Sequence, residues 1–224
     1  RHTNNDGGDF LNKNTNDWLL SLLQVSSVPS ADIPNIVLYM DQITTFMDTH
    51  LADSRRYPED KIMTKTMINN YTKNHLLPPS VKKKYSREHI FLLILIYRLK
   101  NMLSITDIQS ILEPLTKEYF PANAENGLSL KDIYDKLLSE TSDRHPDIEK
   151  QILSDWENSR DSFAAFSPSE EDGEYLDDLI FIYKMCYDIN VRKQAIEKII
   201  DCRRQKNSPA EKKAKKSSKN NKTE

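Results

Sequence analysis

Apolar residues in this chain of 224 residues recur three and four positions apart, which is the spacing of one helix face. They hardly ever alternate with polar residues, as they would in a half-buried strand. The stripes predict helices over residues 38–51, 64–75, 87–102, 105–115, 130–139, 145–163 and 174–202. Residues 90–97 form an unbroken apolar run, so the third helix must be buried on most of its sides. We expect an all-α fold, with extended chain only in a minimal wing near residues 82–85.

Few residues suit cofactor, metal or covalent chemistry. The sequence has four glycines, and the adjacent pair Gly7 and Gly8 follows no strand, whereas phosphate-binding and dinucleotide-binding loops need clustered glycines after a strand. Cys186 and Cys202 have no third sulfur or paired histidines that would complete a zinc site. No combination of Ser, Cys and His indicates a nucleophile. We expect no cofactor, no metal, no catalytic residue and no enzyme activity.

The sequence also predicts where the protein resides. The longest apolar run has 8 residues, whereas about 20 are needed to span a bilayer. The first 30 residues lack the basic segment and following apolar segment of a secretory signal. Two isolated cysteines do not form a disulfide framework. These features predict a cytoplasmic protein without a membrane partner.

Composition divides the chain into four segments. Residues 1–33 are polar and predicted to be disordered, apart from a short amphipathic helix at 17–25. Residues 34–115 carry the helix patterns of a compact domain. Residues 116–202 are helical and acidic, and we expect a dimerisation or regulatory region there. The Lys-, Ser- and Asn-rich residues 203–224 are predicted to form a disordered basic tail.

Positive charge is concentrated in one block rather than interleaved with negative charge. Residues 61–100 carry a net charge of +8 and residues 101–202 carry −12, although the whole chain carries only −2. A basic block of this kind attracts polyanions such as nucleic acids. Alternatively, it docks on the acidic region of its own chain. Charge alone leaves both interpretations open.

The predicted helix at 64–75 has two chemically different faces. One face is apolar, and the other carries amide, hydroxyl and ammonium groups without a carboxylate: Thr66, Asn69, Asn70 and Lys73. Asparagine can bond bidentately to adenine, threonine can contact a thymine methyl group, and lysine can reach guanine or phosphate. We predict that this face, with Lys65 at its start, reads double-stranded DNA in the major groove. An ordinary exposed helix is the alternative.

A compact basic turn follows this helix and the prolines that end it. Its residues are predicted to hold the phosphate backbone: Lys82, Lys83, Lys84, Tyr85 and Arg87. If about six basic groups per protomer neutralise phosphates, log affinity should fall with log salt concentration at a slope of about −5.

Three segments carry a resemblance to a known family. Residues 68–77 are Ile-Asn-Asn-Tyr-Thr-Lys-Asn-His-Leu-Leu, residues 85–90 are Tyr-Ser-Arg-Glu-His-Ile, and residues 103–108 are Leu-Ser-Ile-Thr-Asp-Ile. In order and approximate spacing they resemble the recognition helix, the start of the next helix and the following Phe-Ser-Leu segment of MerR-type regulators. The combination is also similar to the uncharacterised bacterial YkrK-like family, a domain of unknown function built on this DNA-binding half.

The resemblance covers about residues 34–115 and implies a MerR-like winged helix-turn-helix domain there. Asn69 stands where MerR-type regulators have an arginine, and residues 78–84 are shorter than the wing of that family, which implies a reduced wing. DNA readers of this type bind as dimers, so a homodimer is expected. No small-molecule effector can be named from the sequence.

A long apolar stripe in residues 174–202 is either part of a core or the seam of a homodimer; it includes Tyr175, Leu179, Tyr183, Cys186 and Ile196. The acidic residues at 170–178 are typical of a solvated helix start.

The sequence thus predicts a DNA-binding transcriptional regulator. The alternative is a non-enzymatic protein-interaction module whose basic half binds an acidic partner.

Overall fold

The computed structural model describes residues 27–120, 127–166 and 169–206. Within these ranges the helices are α1 (Met40–His50), α2 (Lys65–Lys73), α3 (Arg87–Leu99), α4 (Ile105–Tyr119), α5 (Leu130–Ser142), α6 (His145–Glu157) and α7 (Glu170–Lys206). Two-residue strands, β1 (Leu38–Tyr39) and β2 (Lys84–Tyr85), pair antiparallel, with Leu38 opposite Tyr85 and Tyr39 opposite Lys84. Short 3-10 turns occupy Ser30–Asp32, Ala52–Ser54 and Ala164–Phe166. The described chain is mostly helical, which confirms the prediction of an all-α fold.

Helix α3 lies at the centre of the hydrophobic core. Its residues 90–94 and Ile96 are at most 1% exposed, so apolar side chains on every side of the helix are covered. The same core cluster includes Ile43 of α1, Ile68 of α2 and Tyr134 of α5. The unbroken apolar run therefore forms a helix surrounded by other elements, as its sequence predicts.

Helix α5 completes this core, although it lies beyond the domain boundary predicted at residue 115. The Tyr134 ring is buried, and its centroid lies 4.7 Å from that of Phe91 in α3. Its hydroxyl donates a 2.7 Å hydrogen bond to the carbonyl oxygen of Val28, and burial raises the pKa of this phenol to about 12. The hydrophobic core therefore extends from Val28 into α5, and Ile200 of α7 also belongs to it.

Helix α7 is longer than the stripe at 174–202 predicts. It begins at Glu170 and continues to Lys206, into the segment predicted to be a disordered tail. Arg204 donates a 2.8 Å hydrogen bond to the carbonyl oxygen of Thr106 and forms a 2.8 Å ion pair with Asp107, which holds the last turn of α7 on the beginning of α4.

The rest of the predicted tail, and residues 1–26 with the helix predicted at 17–25, lie outside the described residues. No helix in the described ranges has the uninterrupted apolar length that crossing a bilayer demands.

A buried histidine closes the beginning of α3. The Nδ1 atom of His89 accepts a 2.9 Å hydrogen bond from the backbone N–H of Ser86 and lies 3.0 Å from the Ser86 hydroxyl oxygen. Because Nδ1 is an acceptor, the proton of the neutral ring is on Nε2. Burial lowers the pKa of His89, although the backbone carbonyls of Pro79 and Pro78 and the charge of Glu88 act in the opposite direction.

The free energy of unfolding should fall as the pH drops below about 6.5, because the unfolded chain then binds a proton that buried His89 resists. This residue can contribute a slope of at most about 1.4 kcal/mol per pH unit. In His89→Gln the amide oxygen can still accept the Ser86 N–H, but the side chain no longer titrates, so the slope should flatten. Urea unfolding between about pH 5 and pH 8 measures it.

The matched control is His50→Gln, which removes an exposed histidine from the end of α1. It should keep the slope of the unmodified protein. If His89→Gln kept that slope as well, the pH dependence would have to arise elsewhere.

Candidate nucleic-acid interface

Helix α2 has one buried face and one exposed polar face. It begins after Thr64, whose side-chain oxygen accepts a 3.2 Å hydrogen bond from the backbone N–H of Met67, as expected of an N-cap. Ile68 and Tyr71 are buried in the core. The opposite side is exposed and carries the predicted reading residues Thr66, Asn69, Asn70 and Lys73. Within the described residues, these four side chains make no hydrogen bond or ion pair.

The end of α2 sets the direction of the chain that follows. The backbone N–H of Leu76 donates to the carbonyl oxygen of Tyr71 at 2.9 Å, and the N–H of His75 donates to that of Thr72 at 3.1 Å. This pair of bonds is a Schellman motif, and His75 takes the left-handed conformation with φ of 57°. Leu76 and Leu77 then enter the core, so the chain leaves α2 in a fixed direction.

The three lysines at 82–84 belong to a tight hairpin, which we call the lysine turn (residues 81–84). Val81 and Lys84 exchange both backbone hydrogen bonds, at 3.1 and 2.9 Å. Lys82 and Lys83 between them have φ of 51° and 62°. Positive φ at both central residues is the pattern of a type I′ turn, which normally uses Asn-Gly. A lysine in the left-handed backbone conformation lowers the stability of the folded protein by about 1 kcal/mol. This hairpin therefore exposes three cations in a conformation that destabilises the protein.

The lysine turn and the start of α2 both adjoin the beginning of α1. Lys84 is paired with Tyr39 in the strand register, and its Nζ lies 5.5 Å from the centroid of the Tyr39 ring. Two residues further along, Asp41 forms an ion pair with Lys65, the first residue of α2. The carboxylate-free face therefore begins close to the lysine turn.

Three of the predicted contact residues are engaged within the protein. Lys65 is paired with Asp41, as described above. Arg87 donates a hydrogen bond to the carbonyl oxygen of Ser30, and its guanidinium lies over the Phe91 ring at 5.5 Å. Tyr85 is 4% exposed and packs edge-on against His89, with ring centroids 5.2 Å apart. The prediction that Tyr85 holds the phosphate backbone is corrected, because β2 directs its ring into the core.

The ion pairs among the described residues indicate whether the basic block at 61–100 docks on the acidic region of its own chain. Among the described residues, Lys73, Lys82, Lys83 and Lys84 form no ion pair, and those acids at 101–202 that do form ion pairs have other cations as partners. The surface formed by α2 and the lysine turn is thus left positive. In the same described ranges, no three His, Cys, Asp or Glu side chains come together in a way that suits a metal ion.

Sequence reasoning did not find two features of this surface. Tyr39 fits the helical stripe at 38–51, so nothing in the pattern indicates that it pairs with Lys84 as a strand. Consecutive lysines likewise give no signal for a type I′ turn, because the usual signal is Asn-Gly.

Comparison with known proteins gives one match. Residues 28–137 match the model of a protein family described as Domain of unknown function (DUF1836). This span covers most of the hydrophobic core, which starts at Val28 and continues through α5, with Ile200 of α7 as a further member. No curated protein and no solved structure matches the chain.

Replacing the two strained lysines should stabilise the protein. In the double variant Lys82→Asn, Lys83→Gly, both residues adopt positive φ readily, so the free energy of unfolding should rise by about 1–2 kcal/mol. Urea unfolding at neutral pH measures the change. The matched control is Lys82→Arg, Lys83→Arg, which keeps the charge and the backbone strain and should leave stability unchanged. Equal stability of all three proteins would show that the turn is not strained.

Proposed function

We propose that this protein is a sequence-specific DNA-binding regulator in which α2 lies in the major groove and the lysine turn contacts the phosphate backbone. The observation that carries the proposal is the exposed, carboxylate-free face of α2, close to three exposed lysines. Asn69 and Asn70 are the candidates for adenine, Lys73 for guanine or phosphate, and Thr66 for a thymine methyl group.

The size of the elements supports this mode of binding. Helix α2 has nine residues and is about 13 Å long, and an α-helix with its side chains is about 10–12 Å across, which a major groove about 12 Å wide admits. A two-residue hairpin extends little from the domain, so the lysine turn suits backbone contacts better than deep insertion into a groove. In this proposal the lysine turn takes the place of the reduced wing that the resemblance to MerR-type regulators implies.

Backbone strain at the lysine turn is a second line of support. Sparsely populated conformations cost free energy and cluster at sites that bind ligands, so an observed one supports a hypothesis of function. Here the strained residues, Lys82 and Lys83, are exposed cations. An external polyanion gives those cations a partner that the described part of the chain does not supply.

The structure changes the expected salt dependence. Arg87 is engaged with Ser30 and Lys65 with Asp41, which leaves Lys73, Lys82, Lys83 and Lys84 as the cations best placed for phosphates. Four such contacts give a slope of about −4 per protomer in log affinity against log salt.

Dimerisation through α7 would supply the second reading helix. One side of α7 packs on α6, where the Phe181 ring lies edge-on to Trp156 with centroids 5.2 Å apart, and Lys184 bonds the carbonyl oxygen of Asn158. A different side is exposed and apolar at alternating spacings of four and three residues: Tyr175, Leu179, Ile182, Cys186 and Ile189. That 3.5-residue repeat is the pattern of a two-helix seam, so we propose a second copy as its partner.

The DNA-binding prediction contrasts two variants. Oligonucleotides selected from a random pool provide a preferred duplex, and a scrambled duplex serves for comparison. Asn70→Ala should lose roughly 5- to 150-fold in affinity for the preferred duplex and little for the scrambled one. Lys83→Ala should weaken both equally and make the salt slope shallower by about 1. Fluorescence anisotropy over a range of salt concentrations measures both effects.

Asn190→Ala and Lys198→Ala are matched controls, since both residues are exposed on α7, away from α2. The variant Lys82→Asn, Lys83→Gly should be more stable and yet bind DNA more weakly, which separates binding from folding. Absence of DNA binding at low salt would overturn the proposal. Tight binding to an acidic polypeptide in the absence of DNA binding would favour the protein-interaction module instead.

The dimer prediction rests on the exposed seam of α7. Ile182→Glu introduces a charge at the centre of the seam and should convert a dimer into a monomer in sedimentation equilibrium. Val191→Glu is the matched control, because Val191 is also apolar and exposed but lies off the seam. If the helices are parallel and in register, Cys186 should also form an intermolecular disulfide under mild oxidation. A monomeric unmodified protein at tens of micromolar would contradict the proposed seam.

A further inference from the structure

A cavity of about 520 Å³ lies between α3, α4 and α5, away from α2. Its walls are mainly apolar, with Leu95 and Leu99 from α3, Ile111 and Leu115 from α4, and Leu138 from α5. Volumes of roughly 300–1,000 Å³ are typical of small-molecule sites. Size and lining therefore suit an apolar ligand body.

One charged side chain, Arg98 of α3, lines this apolar cavity. Its Nε and Nη2 atoms are buried and have no hydrogen-bond partner among the described residues. Buried donors without partners cost free energy and are rare in folded proteins, so each one calls for an explanation. Burial also lowers the pKa of Arg98, but a guanidinium remains charged at neutral pH.

Neighbouring groups do not neutralise this charge. Tyr134 lines the same cavity, but its hydroxyl proton is donated to the carbonyl oxygen of Val28. The carboxylates of α4 and α5 that form ion pairs do so with other cations: Glu113 with Lys117, Asp135 with Lys131, Glu140 with Lys136, and Asp107 with Arg204. Within the described chain, Arg98 thus lacks an anionic partner.

The two unpartnered atoms define the geometry of the missing partner. Nε and Nη2 form one edge of the planar guanidinium, with two N–H groups that point in parallel. Such an edge matches the two oxygens of a carboxylate, which accept both bonds together. Arg98 also lines the apolar cavity, so a molecule with an apolar body and a carboxylate head suits both the guanidinium and the leucines and isoleucines around it.

We propose that the cavity binds a small amphipathic carboxylate, with its head on the guanidinium of Arg98 and its apolar body among the leucines and isoleucines of α3, α4 and α5. The site is separate from the surface formed by α2 and the lysine turn. Carboxylate binding therefore stands or falls independently of DNA binding.

The test is isothermal titration calorimetry of the full chain with straight-chain carboxylates below their micellar concentrations. Octanoate and decanoate should bind with one site per protomer, and each added methylene should raise the affinity about fourfold until the cavity is full. Decan-1-ol has the same body without the charge and should bind roughly 10- to 100-fold more weakly than decanoate. Absence of binding by every chain length would overturn the proposal.

Arg98→Met keeps the length of the side chain and removes its charge. It should fold with equal or higher thermal stability, because replacing an unpaired buried charge with an apolar group removes its desolvation cost. It should lose roughly 10- to 100-fold in affinity for decanoate and leave the affinity for decan-1-ol nearly unchanged. Lys136→Met, which removes an exposed cation from α5, is the matched control and should bind both molecules normally.

Two outcomes would contradict the proposed binding site. If decanoate bound Arg98→Met as well as the unmodified protein, the guanidinium would not be the anchor and the proposal would fail. If Ile182→Glu abolished decanoate binding while Arg98→Met did not, the ligand would lie on the seam of α7. Either result is readable without DNA, so it is distinct from any failure of the proposed regulator function.

Discussion

All-round burial of α3 is the constraint on which the arrangement of the other helices depends. A helix that is apolar on every side has no face for water, so each neighbour must present an apolar stripe to the same core. In α2 that stripe contains Ile68 and Tyr71. Asn69 and Asn70 therefore face solvent because the opposite side of their helix is buried, without any contact of their own holding them there.

The features that sequence predicted well are those set by spacing along one helix. The two faces of α2 and the burial of residues 90–94 and Ile96 follow from periodicity along the helix. Features that depend on which elements meet were not predictable. Tyr39 pairs with Lys84 and Tyr134 bonds Val28 because distant segments come together in the fold. The unpartnered guanidinium of Arg98 likewise emerges only when three helices surround it.

Local rules of stability are broken at several places, and three of these places have a proposed partner. Lys82 and Lys83 adopt positive φ at the lysine turn, Arg98 has two buried nitrogens without a hydrogen-bond partner among the described residues, and α7 exposes apolar residues along a 3.5-residue repeat. Natural sequences are otherwise consistent between local preference and fold, so such violations concentrate at functional or strained sites. Phosphate, carboxylate and a second α7 would each relieve one of them.

The segment at residues 28–30 physically connects two of these places. The carbonyl oxygen of Val28 accepts the hydrogen bond of Tyr134 at the cavity wall, and the carbonyl oxygen of Ser30 accepts that of Arg87 beside the lysine turn. Both bonds end on one three-residue segment, so the beginning of the hydrophobic core is fixed by α3 and α5 together.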